Sequence, residues 1–595
     1  MSSFSSSLNI TPAAGISSRI SLVDNHLTTI DFGQVIPFYS RAMLPRDQFN
    51  LVFNVFARAT PLNFPAYING HIAAVCAYVP YYQVYSHADS FFQGIPQVAG
   101  RSTSVPFFTV QNLDWLFATK TYGLLESSSV AACNVLISHD KDVSNSASYF
   151  SGPCKFTYKG RLFYKILRCL GYQLSENITI YLTTSAFTEG TYAYYASNKK
   201  LNAYPLLCFA KLYHDWFCSS FSYYSDLLGS VLSRLKDATY SGSSTGISIS
   251  DLFSILNSIR LMYKNDYFTN AWRYTNAPLP QQGLVFNVPT SSKQVPHVST
   301  SNDDTTVTAS SPGNLTYLTA AAVKSLNALD NYIRRNNYAG TKAAIRALAR
   351  FGIKTEDFKS NYADILDIKR FPLRIGDVTQ TSQTDASPLG SYAGKSFVNG
   401  DSHVSVRSSD YGHFFVVGFI QLDTAYPLGY DREVLKTDLF DFYTPEFDGL
   451  GMQPISYNEL VSDPSVSGKG NNGDKVFGFT ERYNEYRSSL DKITGDFTLF
   501  NELYSWHAGR EMQPFRDASA TAQADDFIYY PNDKQSEFDR IFAVSDVSTE
   551  TNTPDHFYIE ANFKNDAIRP IKNSNQIANL GVGDINIQKN GTHVE

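Results

Sequence analysis

The sequence predicts a mainly β protein whose sheets close in Greek-key or jelly-roll fashion, with long, partly helical insertions between strands. Three observations carry this. Aromatic residues make up 14% of the chain, with 39 Tyr and 42 Phe, and such side chains suit the pleated, half-buried surface of a strand. Segments of period-2 alternation stand at both ends of the chain, and helical periodicity stands between them. Sheets built from such distant segments need closure of this kind, with the intervening chain carried as insertions. The 595 residues can bury a large core without disulfide or metal staples.

Taken in order, residues 27–58 (LTTIDFGQVIPFYSRAMLPRDQFNLVFNVFAR) alternate β-branched and aromatic residues with Pro and Gly punctuation, which is strand patterning. Residues 72–85 (IAAVCAYVPYYQVY) read as a nearly continuous buried strand that ends at Pro80. From about 110 to 200 the patterns break; 159–174 reads as a short helix and 177–187 as a strand. Residues 204–236 carry helical spacing, and 288–314 form a polar, low-complexity loop. A strong helix over 318–337 follows cap candidates at 314–319, resumes over 341–352 and stops at Gly352. Strand patterning returns at 412–426, 476–486, 540–546 and 556–571, and no repeat of fixed period is present.

The net charge of −6 is not the footprint of a dedicated nucleic-acid binder, although it leaves room for a locally basic face. Cys76, Cys133, Cys154, Cys169, Cys208 and Cys218 form no C-x-x-C pair and read as free buried thiols. The longest apolar run, FFVVGFIQL (414–422), falls far short of the ~20 residues of a membrane helix, so no membrane insertion is expected. The opening MSSFSSSLNI has neither a basic nor an apolar signal region, so the expectation is a chain made in the cytoplasm without a secretory signal.

A search for chemistry comes out negative. GKGNNG (468–473) satisfies G-x-G-x-x-G but lacks the strand before and the helix after that a dinucleotide site needs, so it reads as a turn. His413 and His507 read as core histidines rather than ligands or bases, and Asp525–Asp526 as a solvated turn rather than a cation site. No catalytic, cofactor-binding or metal residue is assigned. Arg334, Arg335, Lys342, Arg346 and Arg350 form a basic cluster in which Arg346 and Arg350 share a helix face that Lys342 extends. Such a stripe could face DNA phosphates; a solvated face or an intersubunit salt-bridge set is the plainer reading. Arg482, Tyr483, Tyr486 and Arg487 crowd together with no catalytic constellation around them. A structural or assembly protein fits best. The alternative is a lectin-like or carbohydrate-processing β protein, which would need two carboxylates facing each other in a cleft.

The stretch VFGFTERYNEYRSSLDKITGDF (476–497) resembles the F-G-[YF]-Q-E-R-W-A-E-Y-R-x-K-P-x-x-x-x-G-x-F signature of the Microviridae (gokushovirus-like) major capsid protein, the shell protein of small single-stranded DNA bacteriophages. The match runs through Phe477, Gly478, Phe479, Glu481, Arg482, Glu485, Tyr486, Arg487, Gly495 and Phe497; Tyr483 replaces the frequent Trp, and Ser488 to Asp491 depart from the pattern. Further blocks follow in the family's order. Residues 28–65 resemble its N-terminal block, with Arg46 for the usual Gly of L-P-G-D; AYVPYYQVY (77–85) resembles its next strand; and His214-Asp215-Trp216-Phe217 stands for N-E-W-F. NDYFTNAW (265–272) with PLPQQG (278–283), YAGTKAAIRALARFGI (338–353), the 377–394 loop, 411–451, WHAGREM (506–512), DRIFAVSD (539–546) and 557–571 complete the set.

The resemblance implies a non-enzymatic protein with a viral eight-stranded antiparallel jelly roll, spanning 1–595 as a single domain. It would assemble into a T=1 icosahedral shell around circular single-stranded DNA. Segments 110–200 and 285–315 are candidate insertions or a surface protrusion, and 318–352 a helical insertion. Arg482, Tyr483, Tyr486, Arg487 and Trp506 are then candidates for packing and subunit contact. The implied partners are the chain itself, packaged DNA, a small basic DNA-packaging protein, other virion or scaffolding proteins, and a host receptor, with the virion as final location.

Overall fold

The computed structural model describes residues 17–62, 64, 66–92, 104–127, 154–174, 196–218, 223–240, 246–271, 343–353, 361–379, 392–448, 452–462, 476–510, 539–542 and 555–571, and single helical positions at 324, 328, 331, 332 and 335. They fall into two compact units. The first takes residues 1–269, 361–429 and 490–595; the second takes 270–360 and 430–489.

The strands are β1 (Ser18–Ile30), β2 (Val35–Met43), β3 (Gln48–Ala59), β4 (Gly70–Pro80), β5 (Phe107–Thr109), β6 (Leu125–Ser127), β7 (Cys154–Phe156), β8 (Lys200–Asn202), β9 (Asp364–Pro372), β10 (Arg374–Thr379), β11 (Tyr392–Arg407), β12 (Gly412–Leu422), β13 (Met452–Ser456), β14 (Val476–Glu481) and β15 (Phe557–Arg569). In the first unit, one sheet runs β1-β15-β3-β11-β10 and a second runs β2-β12-β4-β9, with every neighbouring pair antiparallel. The two sheets remain separate, with open edges. Their strands come from both ends of the chain: Ser18 of β1 stands opposite Arg569 of β15, and Ile30 opposite Phe557.

The two sheets read differently in sequence because they are covered differently. In the first sheet one face is buried. Phe49, Leu51, Phe53 and Val55 of β3 and Phe557, Ile559, Ala561 and Phe563 of β15 point inward, and the residues between them are more exposed. In the second sheet the central strands β4 and β12 are buried on both faces, so β12 carries an unbroken apolar run, while the edge strand β9 is partly exposed. On one side the second sheet meets the first, with Tyr39 4.9 Å from Phe563 and Phe49 6.1 Å from Phe414 between ring centres. On the other it meets a helix, through Phe209 on Phe415 and Phe217 on Phe419. Each fully buried ring contributes about 1.5–3 kcal/mol.

That helix is α3 (Tyr204–Trp216); among the described residues the first unit also carries, between β4 and β9, α1 (Val110–Ala118), α2 (Tyr158–Cys169), α4 (Tyr223–Lys236) and α5 (Ile249–Ser258), beside two short helices at Tyr81–Val84 and Ala88–Phe92. Thr109, Thr157 and Ser248 cap α1, α2 and α5, each hydroxyl accepting a backbone N–H three residues on. Pro205 occupies the first turn of α3, where its missing N–H costs nothing. The end of α3 fastens the chain as it re-enters the sheet. The Asp215 carboxylate accepts the Ala363 N–H at 2.9 Å and the Lys211 ammonium at 2.7 Å, while the Trp216 indole donates to the Ala363 carbonyl at 2.7 Å. In the second unit, α6 (Ala343–Phe351) stops at Gly352, whose φ of +68° is the left-handed conformation the expected glycine stop requires.

Several expectations need correcting. The strand over 476–486 ends at Glu481, because Tyr483 adopts φ +62° and 484–486 form a 3-10 turn. The strand over 540–546 is not formed in its described part: Asp539–Ile541 is a 3-10 turn, and Phe542 makes only an isolated bridge to Leu62. β1 begins well before Leu27; its alternation is of half-buried and exposed positions, many of them polar, so the apolar signal is thin. The expected strand at 177–187, the loop at 288–314 and most of the helix at 318–337 lie outside the described residues.

Candidate subunit-contact site

The residues singled out around 482–487 sit in the second unit on the turn after β14. β13 and β14 pair antiparallel, and Gln453 at the second position of β13 organises the turn. Its side-chain oxygen accepts the Tyr483 N–H at 2.9 Å, and its amide donates to Glu485 at 2.6 Å. Tyr483 is buried, and its hydroxyl accepts the Thr444 N–H at 3.3 Å. Arg482 lays its guanidinium over Phe447, 5.1 Å from the ring centre, and 5.3 Å from that of Tyr483. These two residues pack the unit.

Tyr486 and Arg487 are exposed. Arg487 holds Asp448 at 2.8 Å and Glu481 at 3.3 Å on the surface, where such pairs are worth little to stability. Tyr486 lies beside Tyr443, itself exposed, with ring centres 6.0 Å apart. Beneath them the Lys436 ammonium is enclosed by the Tyr486 hydroxyl at 3.0 Å, Glu433 at 3.1 Å and Glu485 at 3.3 Å. Burial disfavours its charge, but the Tyr486 hydroxyl and the two carboxylates outweigh this and raise its pKa above the ordinary lysine value. Lys436 gave no signal in the sequence, since nothing in its local pattern sets it apart from a solvated lysine.

Trp506 belongs to the first unit. Its ring stacks on Phe64 at 5.1 Å and lies 6.2 Å from that of Tyr67, and both partners are exposed. Of the basic cluster, Arg334 and Lys342 lie outside the described residues; Arg335 is exposed; Arg346 falls within α6; and the Arg350 guanidinium covers the Tyr332 ring at 4.1 Å.

The two histidines are core residues. His413 is buried, 2.7 Å from the Ser40 hydroxyl, and burial pushes its pKa down to about 3, so it stays neutral. His507 accepts the Gly509 N–H on Nδ1 at 3.0 Å, which leaves Nε2 to donate to the Phe497 carbonyl at 3.2 Å. Cys76, Cys169, Cys208 and Cys218 are free thiols, buried or half-buried, and burial drives Cys76 up to about 12 and Cys169 to about 11, far from a reactive thiolate. Cys133, GKGNNG and Asp525–Asp526 lie outside the described residues. Among the described residues no group of three or more His, Cys, Asp or Glu could hold a metal ion, and no helix is long and apolar enough to cross a membrane.

Polar residues inside the family-like blocks prove to hold the fold together. Asp47 is fully buried and takes both the Leu44 N–H at 2.8 Å and the Arg569 guanidinium at 2.8 Å, joining the first block to the last. Arg46, beside it, stands at φ +69°, which explains why glycine is usual there. Asp555 is gripped by Lys165 of α2, and also accepts from Thr29 and Gln34.

Comparison with known proteins points to one family. The chain is 28% identical over 201 residues to "Capsid protein VP1" of Chlamydia phage 1, a stretch covering 32% of this chain and 33% of that protein. It is 23% identical over 382 residues to "Capsid protein VP1" of Bdellovibrio phage phiMH2K, covering 56% of this chain and 66% of that one. A shorter match, 22% over 188 residues, joins it to "Capsid protein VP1" of Spiroplasma virus 4, with 31% of this chain and 33% of that one covered. The chain thus spans between a third and about two thirds of the length of these relatives. The family model for the phage capsid protein (F protein) matches residues 181–576, across both units, and the chain belongs to that family.

Proposed function

We propose that this chain is the structural subunit of a T=1 icosahedral shell around circular single-stranded DNA, acting by assembly rather than catalysis. The observation that carries it is the strand order of the sandwich. Setting β10 aside as an added arm of β11, eight strands remain in the two sheets. Counted along the chain, the first, eighth, third and sixth lie side by side in one sheet, and the second, seventh, fourth and fifth in the other. This order supports the reading as a jelly roll, a single domain carrying long insertions. Jelly rolls serve lectins as well as capsids, and family membership favours the capsid.

In this reading Tyr483 and Arg482 pack the turn, while Tyr486, Arg487 and the Trp506 stack face neighbouring copies. The shell encloses the genome in spite of a chain charge of −6, so local basic stretches, cations or a small basic companion protein neutralise the phosphates. Bases can also stack on exposed aromatic rings. The chain is made in the host bacterial cytoplasm and ends in the virion, alongside other virion or scaffolding proteins, where an insertion meets the host receptor. The test is nuclease protection: the protein is mixed with circular single-stranded DNA and sedimented. Fast-sedimenting particles holding intact DNA are expected. DNA degraded as fast as naked DNA, with and without a basic companion, would refute enclosure.

A further inference from the structure

Two exposed apolar surfaces of the second unit differ in sign of charge. On α6, Ile345, Leu348 and Phe351 are exposed, with Ile353 just beyond the helix; Leu348 is 50% and Phe351 72% exposed. Their three-residue spacing sets them along one side of the helix. The helix itself, 343–351, holds two basic residues, Arg346 and Arg350, and no acidic one, and Arg335 is exposed before it. The second surface is the segment 430–448, where Val434, Leu439, Phe442 and Tyr443 are exposed, Leu439 by 76%. That segment holds six acidic residues against two basic ones, and Glu433, Asp438 and Glu446 lie on its surface. Because both surfaces remain open, neither covers the other within one chain. Apolar surface concentrated in this way marks a place where another macromolecule binds.

We infer that α6 of one copy docks on the 430–448 segment of the next copy in the assembly. The inference rests on the shell reading above and names the surfaces that build it. Charge decides the pairing. An α6 to α6 contact would bring two basic stretches together, and a contact of 430–448 with itself would gather acidic side chains. Only the mixed pairing sets opposite charges face to face while burying Leu348 and Phe351 against Leu439 and Phe442. Such a contact is head-to-tail, and head-to-tail contacts that close produce rings, the repeating unit of a shell built about rotation axes. The acidic surface is also continuous with Tyr486, through Tyr443. DNA would satisfy the basic stretch alone and would leave the apolar side of α6 uncovered.

The test uses the full-length chain. Light chains carrying Leu348→Cys are mixed with isotopically heavy chains carrying Leu439→Cys and treated with a short bis-maleimide; linked peptides are read by mass spectrometry. In parallel, Leu348→Asp and Leu439→Asp chains are compared with Val23→Asp, which places the same charge at an exposed apolar position on β1. Light-to-heavy 348–439 links are expected. Both second-unit variants are expected to melt as the wild type does and to lose about tenfold or more of the assembled fraction, while Val23→Asp assembles. Particles formed normally by Leu348→Asp, or linked peptides that join 348 only to 348, overturn the inference and leave the shell reading standing. A wild type that forms no particles but yields the 348–439 link keeps this contact and removes the shell; neither particles nor link removes both.

Discussion

Replacing Asp215 by Ala should unfasten the second sheet where the chain returns to it. The Asp215 side chain is 1% exposed and that of Lys211 13%, so the pair is largely out of water. The substitution takes the carboxylate from the Lys211 ammonium, which keeps the Asn361 carbonyl at 3.0 Å, and leaves the Ala363 N–H without its acceptor, at the residue before β9 begins. Breaking a buried pair from one side costs about 3–5 kcal/mol, and an orphaned buried N–H about 1–3 kcal/mol; the two overlap, so about 3–5 kcal/mol is expected in total. Asp215→Asn keeps an oxygen for Ala363 and should lose roughly half as much. The assay is urea unfolding of the wild type, Asp215→Ala, Lys211→Met and the double variant. In the Asp215→Ala background, Lys211→Met should cost clearly less than in the wild type. A loss below about 1 kcal/mol for Asp215→Ala, or costs that simply add, would refute the view that this carboxylate holds the chain at β9.

Three further outcomes follow from the packing. Gly418→Ala places a methyl 1.8 Å from the Phe38 ring in the middle of β12, and should destabilise by about 1–3 kcal/mol in thermal or urea melts; a neutral result would mean the Phe38 ring moves freely. Arg46→Gly relieves a left-handed arginine and should stabilise by about 1 kcal/mol, seen as a higher melting temperature; a lower one would show that the Arg46 side chain contributes more than its backbone strain costs. His413 has a folded pKa near 3 against an ordinary 6.5, so its neutral form stabilises the fold above pH 6.5, and this is lost as pH falls toward 3. Between pH 6.5 and 4.5 the loss is about 2 kcal/mol, and His413→Gln should remove that share of the pH dependence; an unchanged slope would place the acid sensitivity elsewhere.

Much of the sandwich was legible because each sheet writes its burial into sequence. β3 and β15, covered on one face, alternate; β12, covered on both, is continuous. β1 was half hidden because Val23 and Leu27 stand on its open face while Asp24 and His26 stand on the other, so polarity does not track burial. In sequence the turn at Tyr483 reads as strand because aromatic density suits strands, and nothing local announces a tyrosine at positive φ. The candidate contact site is legible by residue type only. Arg482 and Tyr483 carry the same composition signal as Tyr486 and Arg487, yet the first two turn inward and the last two outward. That division is set by Gln453 and Thr444, distant in sequence from the turn they hold. Asp47 and Asp215 stood in the family-like blocks, but their partners Arg569 and Ala363 lie far along the chain, beyond the reach of any local pattern.

The most direct measurement is electron microscopy of the purified full-length protein, alone and with circular single-stranded DNA, beside size-exclusion chromatography. Uniform icosahedral particles, with the sandwich of β1-β15-β3-β11 against β2-β12-β4-β9 resolved in each subunit, are expected. A monodisperse monomer at high concentration, unchanged by DNA and by a basic companion protein, would contradict the reading of this chain as a shell subunit.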